Sequence, residues 1–427
     1  MSHTDLLSRG SVPHRRTALI SGASIAGLAT AYWLSRCGYA VTVVEKASAP
    51  RSGGYPVDVR GTALEVVRRM GILRQLRDVQ VDLRQITFLD GGGATVASVN
   101  PHAVVGSVAG RDLEVRRGDL TAALYGAVRD DVEFLFDTSV DTLDQSDHHV
   151  DVVFRGGFRE GSRGGFRGDR SRTFDVVVGA DGLHSRTRAA VFGAEEQFHR
   201  YLGYCFAVFT MRNTLGLSHE TVMWNVPGRA AALYAVDDGD EVHAFLNFAH
   251  AKLPPFDAFR DPDAQRDLVV TTFADAGWEV PGVLAAMDEA DDLFIDVVSQ
   301  IRMDRWSSGR VALVGDAAYA PSFLTGQGSS LALVGAYMLA SSLAGPDAAA
   351  GLAAYEHGTR AFVRRNQDLI GEGDAKLFPT TAPALERRND MLRGLSTLPP
   401  TQGQPAHSCL ALPDFAPHGV TARSPGR

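Results

Sequence analysis

The hydrophobic and polar positions of this chain change rhythm twice. Over residues 17–45 a short apolar run, TALIS, leads into a turn of spaced glycines, a helical stretch over 25–37 and a second apolar run over 40–45. Strand, turn, helix and strand in that order predict a βαβ unit with a right-handed crossover. From 201 to 299 the period becomes two. Aromatic and small residues alternate over 203–211, 220–226, 230–236 and 242–248, with turn signals at Pro227-Gly228 and Asp237-Asp238-Gly239 between them. Such alternation predicts an antiparallel sheet, covered by a helical stretch over 264–278. A further hairpin is expected over 85–99, around Asp90 to Gly93. The chain returns through 296–303 to a buried strand at 311–314 and an uncharged helix ending near Leu343. Two more helices follow, over 349–372 and 384–395.

These elements predict an α/β fold: a Rossmann-like nucleotide-binding domain, a second domain on an antiparallel sheet, and C-terminal helices. The first domain is expected to be discontinuous (17–75, 113–190 and 300–375), the second to span 76–112 and 191–299. Residues 1–16 read as disordered and 376–427 as a helix and loose tail.

Composition narrows the picture. The 427 residues, 45% hydrophobic and 22% charged, describe an ordinary globular protein, and a net charge of −8 gives no support to nucleic acid or anionic membrane as partner. Cys37, Cys205 and Cys409 are too scattered for a disulfide frame or a zinc site, so no metal is expected and the reducing cytoplasm is the natural compartment. Arg15-Arg16 before an apolar run resembles a twin-arginine signal, but cleavage there would remove the glycine turn. The uncharged run over 317–345 has an apolar part, 331–343, shorter than the ~20 residues of a membrane span.

Three stretches carry candidate chemistry. In the first, Gly22-Ala23-Ser24-Ile25-Ala26-Gly27 reads G-x-S-x-x-G, where a dinucleotide fingerprint has G-x-G-x-x-G. Glu45, followed by Lys46, stands at the end of the second strand, where an acid binds a ribose. The second, after an apolar strand, is Asp181-Gly182-Leu183-His184-Ser185-Arg186-Thr187-Arg188. Its carboxylate and two arginines are spaced to surround a pyrophosphate; His184 reads as incidental. In the third, Gly315-Asp316 ends a strand, Pro321 and Phe323 follow, and Gly326-Gln327-Gly328-Ser329 opens a helix. Asp316 suits a sugar hydroxyl, and the bare helix start suits an anion. Arg117 at a helix start is a phosphate or ribose candidate, or a solvated charge. The glycine-rich loop over 51–61 places Tyr55, Arg51 and Arg60 near a ligand or at the surface. Phe206, Trp224, His243 and Phe245 (with Asn247) are candidate pocket residues on one face of the second sheet, although most such residues are core. The insert over 156–170, which nearly repeats itself as GGFREGSR and GGFRGDR, reads as a flexible loop.

In this order the motifs GASIAG with Glu45, VVVGADGLHSRTR and GRVALVGDAAYAPSFLTGQGSS resemble the single-component FAD-dependent aromatic hydroxylases, the p-hydroxybenzoate hydroxylase family. Within it the chain looks most like the tetracycline-modifying and polyketide-tailoring monooxygenases. The resemblance covers about 17–375. It implies FAD as cofactor, NADPH (or NADH) and O2 as co-substrates, and hydroxylation of a small aromatic molecule by a flavin hydroperoxide, in a monomer or homodimer. It assigns Gly22, Ser24 and Gly27 to the ADP pyrophosphate, Glu45 to the adenosine ribose, Arg117 to the FAD, and Asp181 to FAD and NADPH. Asp316 would hold the ribityl chain, with Pro321 and Gly326 to Ser329 beside the isoalloxazine. The chain departs from the family at Ser24 (for Gly), at Tyr319 (for His) and at Val334-Gly335 (for an acidic pair). A flavin dehydrogenase, reductase or Baeyer–Villiger oxygenase on this scaffold is the alternative; a serine hydrolase using Ser24 in a G-x-S-x-A elbow is a remote one. No catalytic acid or base is assigned.

Overall fold

The structure, a computed structural model, describes residues 15–50, 53–105, 107–156, 170–254, 261–371, 378–395 and 403–414. Residues 157–169 of the arginine- and glycine-rich insert lie outside the described residues, as does Arg51.

A six-stranded sheet is the centre of the first domain. Its order is Ser307–Ser308, Val311–Leu313, Val176–Gly179, Thr17–Ser21, Ala40–Val44 and Glu133–Leu135, parallel throughout except at the Ser307–Ser308 edge. The apolar runs are continuous because both faces are covered. Ala18 and Ile20 point into a core shared with helices Ile25–Arg36 and Gly328–Leu343, while Leu19 points the other way, against the three-stranded sheet Thr138–Gln145, Val150–Gly156 and Ser171–Phe174. Arg15 and Arg16 are bound into this body: Arg15 donates to the carbonyls of Gly38 and Tyr39, and Arg16 to that of Gly345.

The second sheet has seven strands, in the order Phe294–Ile301, His199–Arg212, Glu241–Ala249, Arg229–Tyr234, Glu220–Val226, Gln85–Leu89 and Thr95–Val99. It is antiparallel but for one joint: Gln85–Leu89 runs parallel to Glu220–Val226, because these strands come from two separate passages of the chain. Helices Pro262–Phe273 and Val280–Glu289 cover one face. The register decides which residues lie on the other. Phe206 pairs with Asn247, Val208 with Phe245 and Thr210 with His243, so these share a face; Ala232 and Tyr234 continue it, and so does Met223. Trp224 is one residue out of phase. It pairs with Ala231 and is buried among Phe273, Val283 and Met287 under the helices, its indole N–H donating to Gly91 O at 3.1 Å. Trp224 is therefore a core residue, not a pocket residue, because a strand turns alternate side chains to opposite faces.

Residues 56–59, expected within a loop, are instead a strand. Pro56–Val59 pairs with Leu113–Arg116 in a two-stranded ribbon. Val59, Leu113 and Val115 face the first core, which leaves Asp58 and Glu114, directly opposite each other, on the side toward the second sheet.

Two departures from the family pattern are one packing event. The Tyr319 phenol is fully buried, and its Oη lies only 1.8 Å from where a Cβ on Gly335 would stand. Tyr355 Oη donates to Tyr319 Oη at 3.1 Å, and the Trp306 ring packs against Tyr319 at 4.7 Å. Tyrosine at 319 thus demands glycine at 335. Gly335→Ala should destabilise the protein by about 1–3 kcal/mol through overpacking. Tyr319→Phe, which withdraws the hydroxyl, should recover much of that loss in the double variant, read as urea midpoints in a double-mutant cycle.

Candidate cofactor and substrate site

Three neighbouring strands of the parallel sheet end at one level, with Ser21 beside Gly179 and Gly179 beside Leu313. Their C-terminal ends therefore deliver the three sequence motifs to a single edge, the edge at which open α/β sheets bind ligands. Backbone bonds lock them together: Ala180 N–H donates to Ser21 O at 2.9 Å and Val314 N–H to Gly179 O at 3.0 Å. In the first turn, a Cβ on Gly27 would lie 1.8 Å from Gly22 O, so only glycine lets the helix approach its strand this closely. Gly315 packs against Ala26 in the same way.

Two helix starts converge here. Helix Ile25–Arg36 begins after Ser24 and helix Gly328–Leu343 after Gln327; neither carries a side-chain cap or an acidic residue in its first turn. Uncapped N–H groups and the positive helix end favour an anion. Arg117, the first residue of helix Arg117–Val128, reaches the first of them, its Nη2 donating to Ser24 Oγ at 3.2 Å. A guanidinium cannot accept a proton, so among the described residues Ser24 has no base bonded to its hydroxyl, and the nucleophile-elbow reading finds no support. Glu45 accepts from Ala23 N–H at 2.8 Å and Ala47 N–H at 3.0 Å, at the mouth of the same turn, with Lys46 exposed beside it.

Asp316 stands between the two helix starts, its Oδ1 4.0 Å from a Cβ built on Gly328. Its side chain reaches solvent yet is enclosed closely enough by protein to be desolvated. That enclosure raises its pKa, and the Arg117 charge opposes the rise. The Gln327 side chain is buried, and its Oε1 has no hydrogen-bond partner among the described residues. The donor set fits FAD: helix N-termini and Arg117 for the pyrophosphate, and Glu45 and Asp316 for hydroxyls.

The Asp181 motif departs from expectation. Asp181 accepts from Ser185 Oγ and from the Thr187 N–H and hydroxyl at 2.9 and 3.0 Å, which secures the start of helix Arg186–Phe192. Arg188 is wholly buried. It donates to Leu183 O at 2.6 Å, Ala317 O at 3.1 Å and Glu195 at 3.0 Å, so it braces the Gly315–Asp316 turn rather than surrounding a phosphate. His184, read as incidental, ties the domains together. Its Nδ1 lies 2.7 Å from Glu195 Oε1 and its Nε2 3.2 Å from Asp296 Oδ1, on a strand of the second sheet.

Against the Pro321–Thr325 segment the second sheet presents its aromatic face. Phe206 meets Phe323 at 5.0 Å and Phe294 at 5.8 Å, Tyr55 meets Phe245 at 5.5 Å, and Phe378 closes over Phe323 at 6.1 Å. Phe323 is 37% exposed, so this cluster opens to solvent. His243 shares the face but lies nearer the strand end, at 3.4 Å from Thr210 Oγ1, and burial lowers its pKa. Backbone strain marks the loop: Ser322, a non-glycine residue, has φ of +75°.

The sequence reading missed Asp58 and Glu114. Burial and the neighbouring Asp58 push Glu114 up to about 7, with Tyr234 and Arg60 opposing, and burial also raises Asp58, whose Oδ1 is 2.5 Å from Arg60 Nη2. A signal was present: Val57-Asp58-Val59-Arg60 and Leu113-Glu114-Val115-Arg116 share one apolar–acid–apolar–base pattern.

Its two hydrogen-bonded carboxylates, Asp296 first, raise the His184 pKa to about 9, from 6.5. The stabilisation is complete below pH 6.5 and disappears as pH rises through 9. The ring is 41% exposed, so solvent screening holds the contribution to about 1 kcal/mol. His184→Gln should therefore cost about 1 kcal/mol at pH 6 and little at pH 9.5, read from urea unfolding of both proteins at each pH.

Comparison with known proteins agrees with this geometry. The FAD binding domain family matches residues 15–369. An uncharacterized protein of Mycobacterium tuberculosis is 42% identical over 375 residues, 87% of this chain and 97% of its own. A flavin-dependent monooxygenase from an unknown prokaryotic organism is 34% identical over 90% of this chain and 97% of its own. The crystal structure of the tetracycline destructase Tet(55) superposes with a TM-score of 0.78 at 32% identity, covering 94% of this chain and all of that one. Among the described residues no helix is long and apolar enough to cross a membrane. With the family motifs gathered at one sheet edge and these similarities along nearly its whole length, the chain belongs to the FAD-dependent monooxygenases, with FAD as its cofactor and NAD(P)H the reductant typical of the family.

Proposed function

We propose that this enzyme inserts one oxygen atom into an aromatic or polycyclic small molecule, of the planar kind found among polyketides and antibiotics. The observation that supports this most is the aromatic cluster in which Phe206 of the second sheet meets Phe323 of the Pro321–Thr325 segment and Phe245 meets Tyr55, beside the uncapped start of helix Gly328–Leu343. The similarity to a tetracycline destructase points the same way.

Bound FAD, reduced by NAD(P)H, supplies the activation of O2. The chain's own part is positioning, charge and dryness. Gly22, Ser24, Ile25, Ala26 and Gly27 with Arg117 would hold the pyrophosphate, Glu45 and Lys46 would meet the adenosine end, and Gly315-Asp316 would take the ribityl hydroxyls. Pro321 and Gly326 to Ser329 would lie beside the ring, where the helix start would favour negative charge. Asp181 acts through the turn it secures. The second sheet excludes water above the ring. The unpaired thiols fit work in the reducing cytoplasm, with no nucleic-acid partner, as a monomer or homodimer. A dehydrogenase, reductase or Baeyer–Villiger oxygenase would use the same cofactor cradle.

Replacing Asp316 by Ala should weaken FAD binding roughly 10- to 100-fold, the value of one charge-assisted hydrogen bond. The visible flavin absorbance retained on purification measures this. Oxygen uptake that tracks NADPH oxidation and rises with an aromatic panel supports the monooxygenase; NADPH oxidation without oxygen incorporated into product overturns it. Phe245→Ala should raise substrate KM by roughly 10- to 100-fold while leaving bound flavin intact. Trp224→Ala should cost about 3–5 kcal/mol of stability by opening a core cavity, measured by urea unfolding.

A further inference from the structure

The ribbon Pro56–Val59/Leu113–Arg116 brings a carboxylate pair to the boundary between the two domains. Asp58 and Glu114 are cross-strand neighbours, a position in which like charges repel. Asp58 is held toward the flavin end: a Cβ on Gly326 would lie 2.9 Å from its Oδ2, and Arg60 pairs with it at 2.5 Å. Glu114 is held toward the substrate end. It faces the Tyr234 phenol, which lies on the same face of the seven-stranded sheet as Phe245 and His243, and part of its surface stays open. The cofactor reading makes no use of either acid.

We propose that Glu114 accepts the proton of a ring hydroxyl on the substrate, so that the enzyme takes phenols or enols in preference to their ethers. The step breaks the substrate O–H bond. The proton passes to a Glu114 carboxylate oxygen and the electron pair stays on the substrate oxygen. The ring becomes more electron-rich, as oxygen transfer to it requires; the proton lost from the attacked ring carbon leaves with the second oxygen atom as water, and Glu114 returns its own proton to the product oxygen.

The surrounding charges favour an acidic hydroxyl over an ammonium group. Arg60 follows directly after the facing strand, and Arg116, two residues along and ion-paired to Asp237, adds positive charge near the Tyr234 end. His243, on the sheet opposite, has its pKa lowered by burial and is biased to the neutral form. Burial first, and then the Asp58 charge, keep the Glu114 carboxyl basic enough to serve near neutral pH, while Asp58 is itself acted on by Arg60, Asp112 and His102. This assignment rests on the aromatic-substrate reading above.

The test uses the FAD-loaded protein with 2-naphthol and its methyl ether, 2-methoxynaphthalene. Binding is followed by perturbation of the flavin visible bands. Affinity for 2-naphthol should rise roughly tenfold from pH 6 to pH 8, as a carboxyl titrating near neutrality ionises. Glu114→Gln should make this profile flat, and the methyl ether should bind with a flat profile to both proteins. Asp58→Asn should shift the midpoint to lower pH without abolishing the rise, which decides the matter even if Glu114→Gln folds poorly. A flat wild-type profile, an unchanged profile in Glu114→Gln, or flavin-loaded protein that responds to neither naphthalene would overturn the proposal. Wild-type protein that takes up no flavin would instead overturn the cofactor reading beneath it, so the two failures are distinct.

Discussion

Everything in this molecule depends on the parallel register of three strands. Ser21, Gly179 and Leu313 lie side by side, so segments some 150 residues apart end at one level and their loops must share one space. Loops that share a space constrain each other's size. Gly22 abuts the Ala180 carbonyl, Gly315 abuts Ala26, and Arg188 binds Ala317 O from the middle motif. The small residues of the motifs are thus explained twice: they let backbone N–H groups reach a ligand, and they let three turns fit at one edge. Helix dipoles, Arg117 and Asp316 then act on a common point because the sheet has already placed them there.

A second constraint, the two-residue period of a strand, sorts the other sheet. Phe206 and Phe245 fall on the face toward the flavin loop, and Trp224, a larger aromatic, falls on the face beneath the helices. Composition alone would choose the tryptophan for a pocket. Register overrides it, since a single-residue offset moves a side chain through the sheet. The ribbon obeys the same rule: its valines and leucine face the core, and its two acids are left at the domain boundary, where burial raises the proton affinity of both and the Asp58 charge adds to that of Glu114.

Departures from the family pattern also become legible as contacts. Tyr319 and Gly335 lie sixteen positions apart, on different elements, yet occupy one volume. Ser24, the third departure, accepts a hydrogen bond from Arg117 and so fixes the arginine over the turn. His184 joins the middle motif to the substrate sheet through Glu195 and Asp296, a charged clasp between domains whose partners are 11 and 112 residues away.

The sequence by itself determined the fold class, the cofactor and the turn chemistry, because these rest on local order: apolar runs that end in glycines, an acid at ribose spacing, an uncharged helix after Gly328. Short-range sterics and periodicity encode such features within a few residues. Tertiary structure decided what depends on partners distant in the chain. It gave Asp181 its hold on the start of helix Arg186–Phe192, buried Arg188 against Ala317 O, returned Trp224 to the core, turned the loop at Pro56 into a strand, and set Asp58 opposite Glu114. Each of those outcomes turns on strand register and domain packing, and a one-residue change in either reverses which side chains meet.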